Sequence, residues 1–152
     1  MIDNTPEEFY RGLPSPDTVT EQGYPTEAAF RFLYFGREDG YSELSINWND
    51  DEGALEKLLS QRKPFKEEPQ FKIGYCKIEK SMMKMLMKTY MDDQMFSYER
   101  RPVEADLEAD VESNPYHGNL LMKKDAGNSL KKNIQCGLAA LAAGTFVRRK
   151  AE

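Results

Sequence analysis

Over Tyr41–Trp48, apolar and polar residues alternate with a period of two. Leu44, Ile46 and Trp48 fall on one side, and Glu43, Ser45 and Asn47 on the other, which predicts a half-buried strand. Upstream, Phe30, Phe32 and Tyr34 share one parity, so residues 26–35 are expected to form a strand that pairs with it as a hairpin across the glycine-bearing turn at 36–40. Further strands are expected at 71–78, with Phe71, Ile73 and Tyr75 alternating with Lys72 and Gly74, and at 95–103, with Phe96 and Tyr98. A short extended segment is expected over 118–122.

The period changes to that of a helix in three places. After the N-cap candidates Asn49, Asp50 and Asp51, Leu55, Leu58 and Leu59 mark a short helix that Pro64 ends. In residues 81–91, Lys80, Lys84 and Lys88 recur every four positions while Met82, Met83, Met85, Leu86, Met87 and Met91 supply a broad apolar surface. From about 129 to 147, Leu130, Ile134, Leu138 and Leu141 mark a core side, and Gly137, Ala140 and Gly144 let another element approach closely. Residues 1–25 read as an irregular N-terminal segment, because Pro14, Pro16 and Pro25 oppose regular pairing from Pro14 onward. Residues 148–152 read as a flexible basic tail. No internal repeat is present. The order is not a regular β-α alternation, so the expected fold is a single α+β domain, with a mainly antiparallel sheet and about three helices.

A chain of 152 residues is long enough to bury one core without metals or disulfides. Its net charge of −5 argues against phosphate-backbone binding as the main business of the whole surface. Cys76 and Cys136 are 60 positions apart, which fits no zinc or redox motif, and both are expected to be buried free thiols in a reducing compartment. Acidic residues interrupt any opening apolar run, and the apolar segment 134–147 is too short to span a bilayer, so a cytoplasmic protein with no membrane association is expected.

The chemistry concentrates between residues 103 and 118. Glu104, Asp106, Glu108, Asp110 and Glu112 alternate with apolar residues, and the run leads through Asn114 and Pro115 to His117, the one histidine of the chain. As a strand the ladder places all five carboxylates on one face; as a helix it aligns Val103, Leu107 and Val111. A solvated or partner-facing acidic surface is the expected reading, with no metal site and no cofactor. The Asn-Pro turn is where chemistry is expected, since a histidine titrates near neutrality. His117 as base, Glu112 as its orienting carboxylate and Arg11 as anion holder are the candidate catalytic residues. No neighbouring motif marks a nucleophile or a phosphate loop.

The blocks Thr26–Phe30, Leu44–Ile46, Phe71–Ile78 and Asn114–His117 stand in an order that resembles a set of small uncharacterised bacterial proteins, with a small-residue/Ala-Phe block, a Leu-Ser-Val-like strand and an Asn-Pro-x-His turn. The lysine- and methionine-rich region has no counterpart there. The resemblance implies no activity and raises interest in Arg11 and His117 as members of one site. A bacterial or phage-type protein-interaction or regulatory module is therefore expected. It would engage a protein partner, rather than nucleic acid, through Glu104, Asp106, Glu108 and Asp110 and the methionine-helix residues Met83, Met87 and Met91. The alternatives are a small hydrolase or transferase acting on a nucleotide-like or phosphate-bearing substrate, and an acidic inhibitor that mimics nucleic acid.

Overall fold

The structure is a computed structural model that describes residues 7–35, 37–90 (the side chain of residue 90 excepted) and 95–150. Six antiparallel strands form one sheet: β1 (Glu8–Leu13), β2 (Tyr41–Trp48), β3 (Gly74–Glu79), β4 (Phe96–Arg100), β5 (His117–Lys123) and β6 (Val147–Arg148). Their order across the sheet is β4-β5-β2-β1-β3-β6. Three helices accompany them: α1 (Gly53–Ser60), α2 (Lys80–Tyr90) and α3 (Asn128–Leu141). The α+β architecture with an antiparallel sheet is therefore the one the patterning predicts.

One face of the sheet carries the core. Phe9 and Leu13 of β1, Leu44, Ile46 and Trp48 of β2, Cys76 and Ile78 of β3, Phe96 of β4 and Leu120 and Met122 of β5 are all buried there. Met83 and Met87 of α2 and Ile134 and Leu138 of α3 close over them. The tight approach of α3 to α2 uses Gly137, where a Cβ would come within 2.7 Å of the Leu86 side chain. Met83 and Met87 were expected on a partner surface; at 0% and 6% exposure they are core residues, and Met82 and Met85 are the exposed methionines of that helix. Met91, expected to join them, lies outside the described residues.

Several local expectations are corrected. The supposedly irregular N-terminus contains β1, which lies between β2 and β3 in the sheet. Residues 27–30 form a 3-10 turn, Glu27–Phe30, instead of a strand, and the expected hairpin reduces to one bridge between Leu33 and Glu43. The last helix ends at Leu141, well short of 147. The Thr145 hydroxyl accepts from the Lys77 amide and donates to its carbonyl, at 3.0 and 3.1 Å, which docks the chain on β3. β6 then pairs with Gly74 and Tyr75, so Arg148 and Arg149 belong to the sheet edge and are not a free tail. Cys76 is buried, but Cys136 is exposed on α3, its thiol 3.3 Å from Glu27 Oε2.

β1 and β2 pair only at Phe9–Trp48 and Tyr10–Asn47, and then part. Arg11 fills the parting from the core side. Its Nε donates to the carbonyl of Ala29 at 2.8 Å, and its Nη1 to that of Ser45 at 3.1 Å. Burial pulls the guanidinium pKa down to about 10, still well above neutrality, so the group stays charged. It satisfies two carbonyls that strand pairing leaves over. The surface pair with Glu7 or Glu8 that its neighbours suggest does not form. Arg11→Met keeps the apolar stem and strands both carbonyls, so it is expected to lower stability by about 1–3 kcal/mol. Urea unfolding should show a lower midpoint with the slope unchanged.

Candidate functional site

The second face of the sheet is polar where β2 meets β5. Asn47 pairs with His117, Ser45 with Asn119 and Glu43 with Leu121. Over this face lie α1, the segment 61–71 and an arm made from residues 103–114. Phe71 packs directly on Gly12, where any Cβ would overlap its ring. A cavity of about 200 Å³ forms beneath the arm. Its polar wall is Ser45, Asn47, Gln61, Arg62, Glu112 and His117, and its apolar wall includes Leu58, Phe71, Val103 and Val111.

The acidic ladder is neither a helix nor a five-carboxylate strand face. It folds back on itself as a short antiparallel arm, bridged at Val103–Asn114 and Asp106–Val111. The repulsion of five like charges is relieved because they diverge into different roles. Asp106 Oδ1 accepts from the amides of Glu108 and Ala109 at 3.1 and 3.2 Å and so holds the tip turn. Asp110 takes both guanidinium nitrogens of Arg62, at 2.6 and 2.8 Å, and the amide of Phe65 at 2.6 Å. Those donors hold its carboxyl at about 2. Glu112 faces Lys57 at 3.4 Å, and Glu104 and Glu108 are exposed to solvent. Asp110 was expected to face a partner; it is engaged inside the molecule. At the tip, Leu107 is 95% exposed, and Phe65, joined to the arm through Asp110, is 73% exposed.

The arm is fixed at its base by a pair of buried asparagines. Asn114 Nδ2 donates to Asn47 Oδ1 at 2.8 Å, and Asn47 Nδ2 donates to the carbonyl of Ala54 at 3.2 Å. Asn114 Oδ1 accepts from the amide of Tyr116 at 3.1 Å, the local turn that Asn before Pro favours. One residue on, His117 opens β5. Its Nδ1 lies 2.8 Å from the carbonyl oxygen of Arg101. A carbonyl only accepts, so Nδ1 carries the hydrogen and the neutral ring leaves Nε2 as a bare acceptor. Nε2 has no partner among the described residues.

Of the three candidate catalytic residues, the fold brings two together. Glu112 and His117 line the same cavity. Arg11 lies on the opposite face, sharing the parity of Phe9 and Leu13 while Gly12 faces the cavity side. The cation at the cavity is instead Arg62, neutralised by Asp110. Sequence reading missed Arg62, Gln61 and Gln70, because nothing in their spacing distinguishes them from ordinary surface residues.

A second polar cluster lies beside the first. The Arg37 guanidinium binds Asp39, Glu43 and Glu99 at 2.8, 2.8 and 2.6 Å, and Asn119 Nδ2 donates to both glutamates. Arg37 holds the carboxyls of Glu99 and Asp39 below their usual range. Among the described residues, no three His, Cys, Asp or Glu side chains are placed to hold a metal ion, and no helix is long and apolar enough to cross a membrane. No protein-family model, curated protein or solved structure matches this chain.

Burial lowers the pKa of His117 from its ordinary 6.5, with the Arg101 carbonyl opposing the shift. Below pH 6.5 the unfolded chain therefore takes up a proton that the folded chain resists, and stability falls as pH drops from there to the folded pKa. NMR titration should place the imidazole below 6.5, and His117→Gln should flatten the loss of stability in that window.

Proposed function

We propose that this protein is an interaction module that presents the arm 103–114 to a basic surface on a protein partner. The observation that carries the reading is Leu107, 95% exposed at the tip of an arm flanked by Glu104, Asp106 and Glu108. A large apolar side chain held that far into solvent gains nothing from its own fold. Phe65, 73% exposed, extends the apolar surface at the foot of the arm. An apolar centre with an acidic border complements a patch that is apolar at its middle and basic at its margin. The arm is also preorganised. The Arg62–Asp110 pair and the Asn114–Asn47 bond hold it at two points, which lowers the ordering cost of binding. Met83 and Met87 of the methionine helix lie in the core and contribute support and not contact. A cytoplasmic setting agrees with two free cysteines, one of them exposed.

A photo-crosslinking residue placed at position 107 in the full chain identifies the partner, which is then titrated against the purified protein. Affinity should fall by about tenfold or more between roughly 0.05 and 0.5 M salt, through both a slower on-rate and lost attraction. The combination Glu104→Lys, Asp106→Asn and Glu108→Lys should remove binding while the melting temperature stays close to that of the wild type. Affinity indifferent to salt and to these substitutions overturns the reading.

A further inference from the structure

We infer that the cavity beneath the arm is an arginine-anchor site, shaped to take one arginine side chain from the partner. This rests on the interaction reading and names the contact that gives it specificity.

The size of the cavity sets the class of occupant. Sites for cofactors and drug-sized ligands run to about 300–1,000 Å³. At about 200 Å³, this one fits a single long side chain. Interfaces place their strongest contacts in such pockets, and arginine is among the residues most often found there.

The wall chemistry selects the side chain. Among the described residues, the side chains of Ser45, Gln61 and Gln70 make no hydrogen bond, and Nε2 of His117 is an unpaired acceptor. Each of these groups, with the Glu112 carboxylate, offers an oxygen or nitrogen acceptor to a guanidinium, which has five donors and no acceptor. A carboxylate occupant would meet Glu112 and Asp110, and its only cation within the wall, Arg62, is already held by Asp110 through two hydrogen bonds. With Arg62 and Asp110 cancelling and His117 neutral, the charged acceptor left at the wall is Glu112, whose Oε2 also meets Lys57 at 3.4 Å. Leu58, Phe71 and Val111 supply an apolar wall for the methylene stem. Lysine fits less well, since its compact, strongly hydrated ammonium cannot spread over acceptors on several walls. The site also lies at the base of the arm, so a basic surface drawn to Glu104 and Glu108 brings its arginines to the opening.

The test uses N-acetyl-arginine N-methylamide as probe, with the citrulline and lysine analogues as controls, titrated into isotope-labelled full-length protein by NMR. Saturable shifts are expected at the Gln61 and Gln70 side-chain amides and the His117 ring. The arginine probe should bind at least about fivefold tighter than citrulline, the difference between charge-assisted and neutral hydrogen bonds. Glu112→Gln should weaken it several-fold, and Glu104→Gln, on the arm away from the cavity, should not. Equal binding of arginine and citrulline, or shifts confined to the arm carboxylates, overturns the anchor. If that happens while charge reversal of the arm still abolishes partner binding, the acidic-arm reading stands without it. If instead the arginine probe binds as expected and arm reversal leaves the partner unaffected, the anchor stands and the arm reading falls.

Discussion

The parting of β1 from β2 governs this molecule. A sheet that separates between two central strands exposes backbone carbonyls in its interior, and an unsatisfied one there costs roughly as much as a lost hydrogen bond. Arg11 meets that demand from the core side, tying the Ser45 carbonyl of β2 to the Ala29 carbonyl of the 3-10 turn. Leu33 meets it farther along through its bridge to Glu43. On the other side the opening is not filled, and the cavity forms there, with Ser45, Ile46 and Asn47 along its floor and Phe71 seated over Gly12. The hydrophobic core and the candidate site are thus the two sides of one discontinuity in the sheet, with a guanidinium between them.

The polar features divide into those that hold the arm and those that remain available. Asp106, Asp110, Asn114 and Asn47 are each engaged in fixed hydrogen bonds. Glu104 and Glu108 are exposed, and His117 keeps one ring nitrogen unpaired. A ladder of alternating charge looks uniform in sequence, yet half of its function is internal. Buried asparagines at the base and a bidentate arginine at the side convert a repelling acidic run into a defined protrusion.

What was legible in the sequence follows from which forces act locally. β2 was read with its observed bounds because its alternation records burial directly. The face of α3 was read from Ile134 and Leu138 for the same reason. β1 was missed because Arg11 occupies the core-facing parity between Phe9 and Leu13, so the alternation is broken by the residue that closes the sheet. The strand expected over 26–35 gives way at 27–30 to tertiary packing, since α3 lies against that turn and Gln135 Nε2 bonds the Phe30 carbonyl at 3.0 Å. Among the candidate site residues, Glu112 and His117 were legible because the chain brings them together across a single turn. Arg62, Gln61 and Gln70 reach the same cavity from a separate segment, which only the folded topology determines.

The strand order has a consequence for how the chain is made. β3 is flanked by β1 on one side and by β6 on the other, one pairing with residues 8–13 and the other with residues 147 and 148. During synthesis the first partner is long since available when β3 emerges, and the second arrives only with the last residues of the described chain. Until then the Gly74–Tyr75 end of β3 is an unprotected edge, open to pairing with any passing strand. Closing it draws together positions more than seventy apart, a long-range pairing of the kind that slows folding, as the β2–β5 ladder also is.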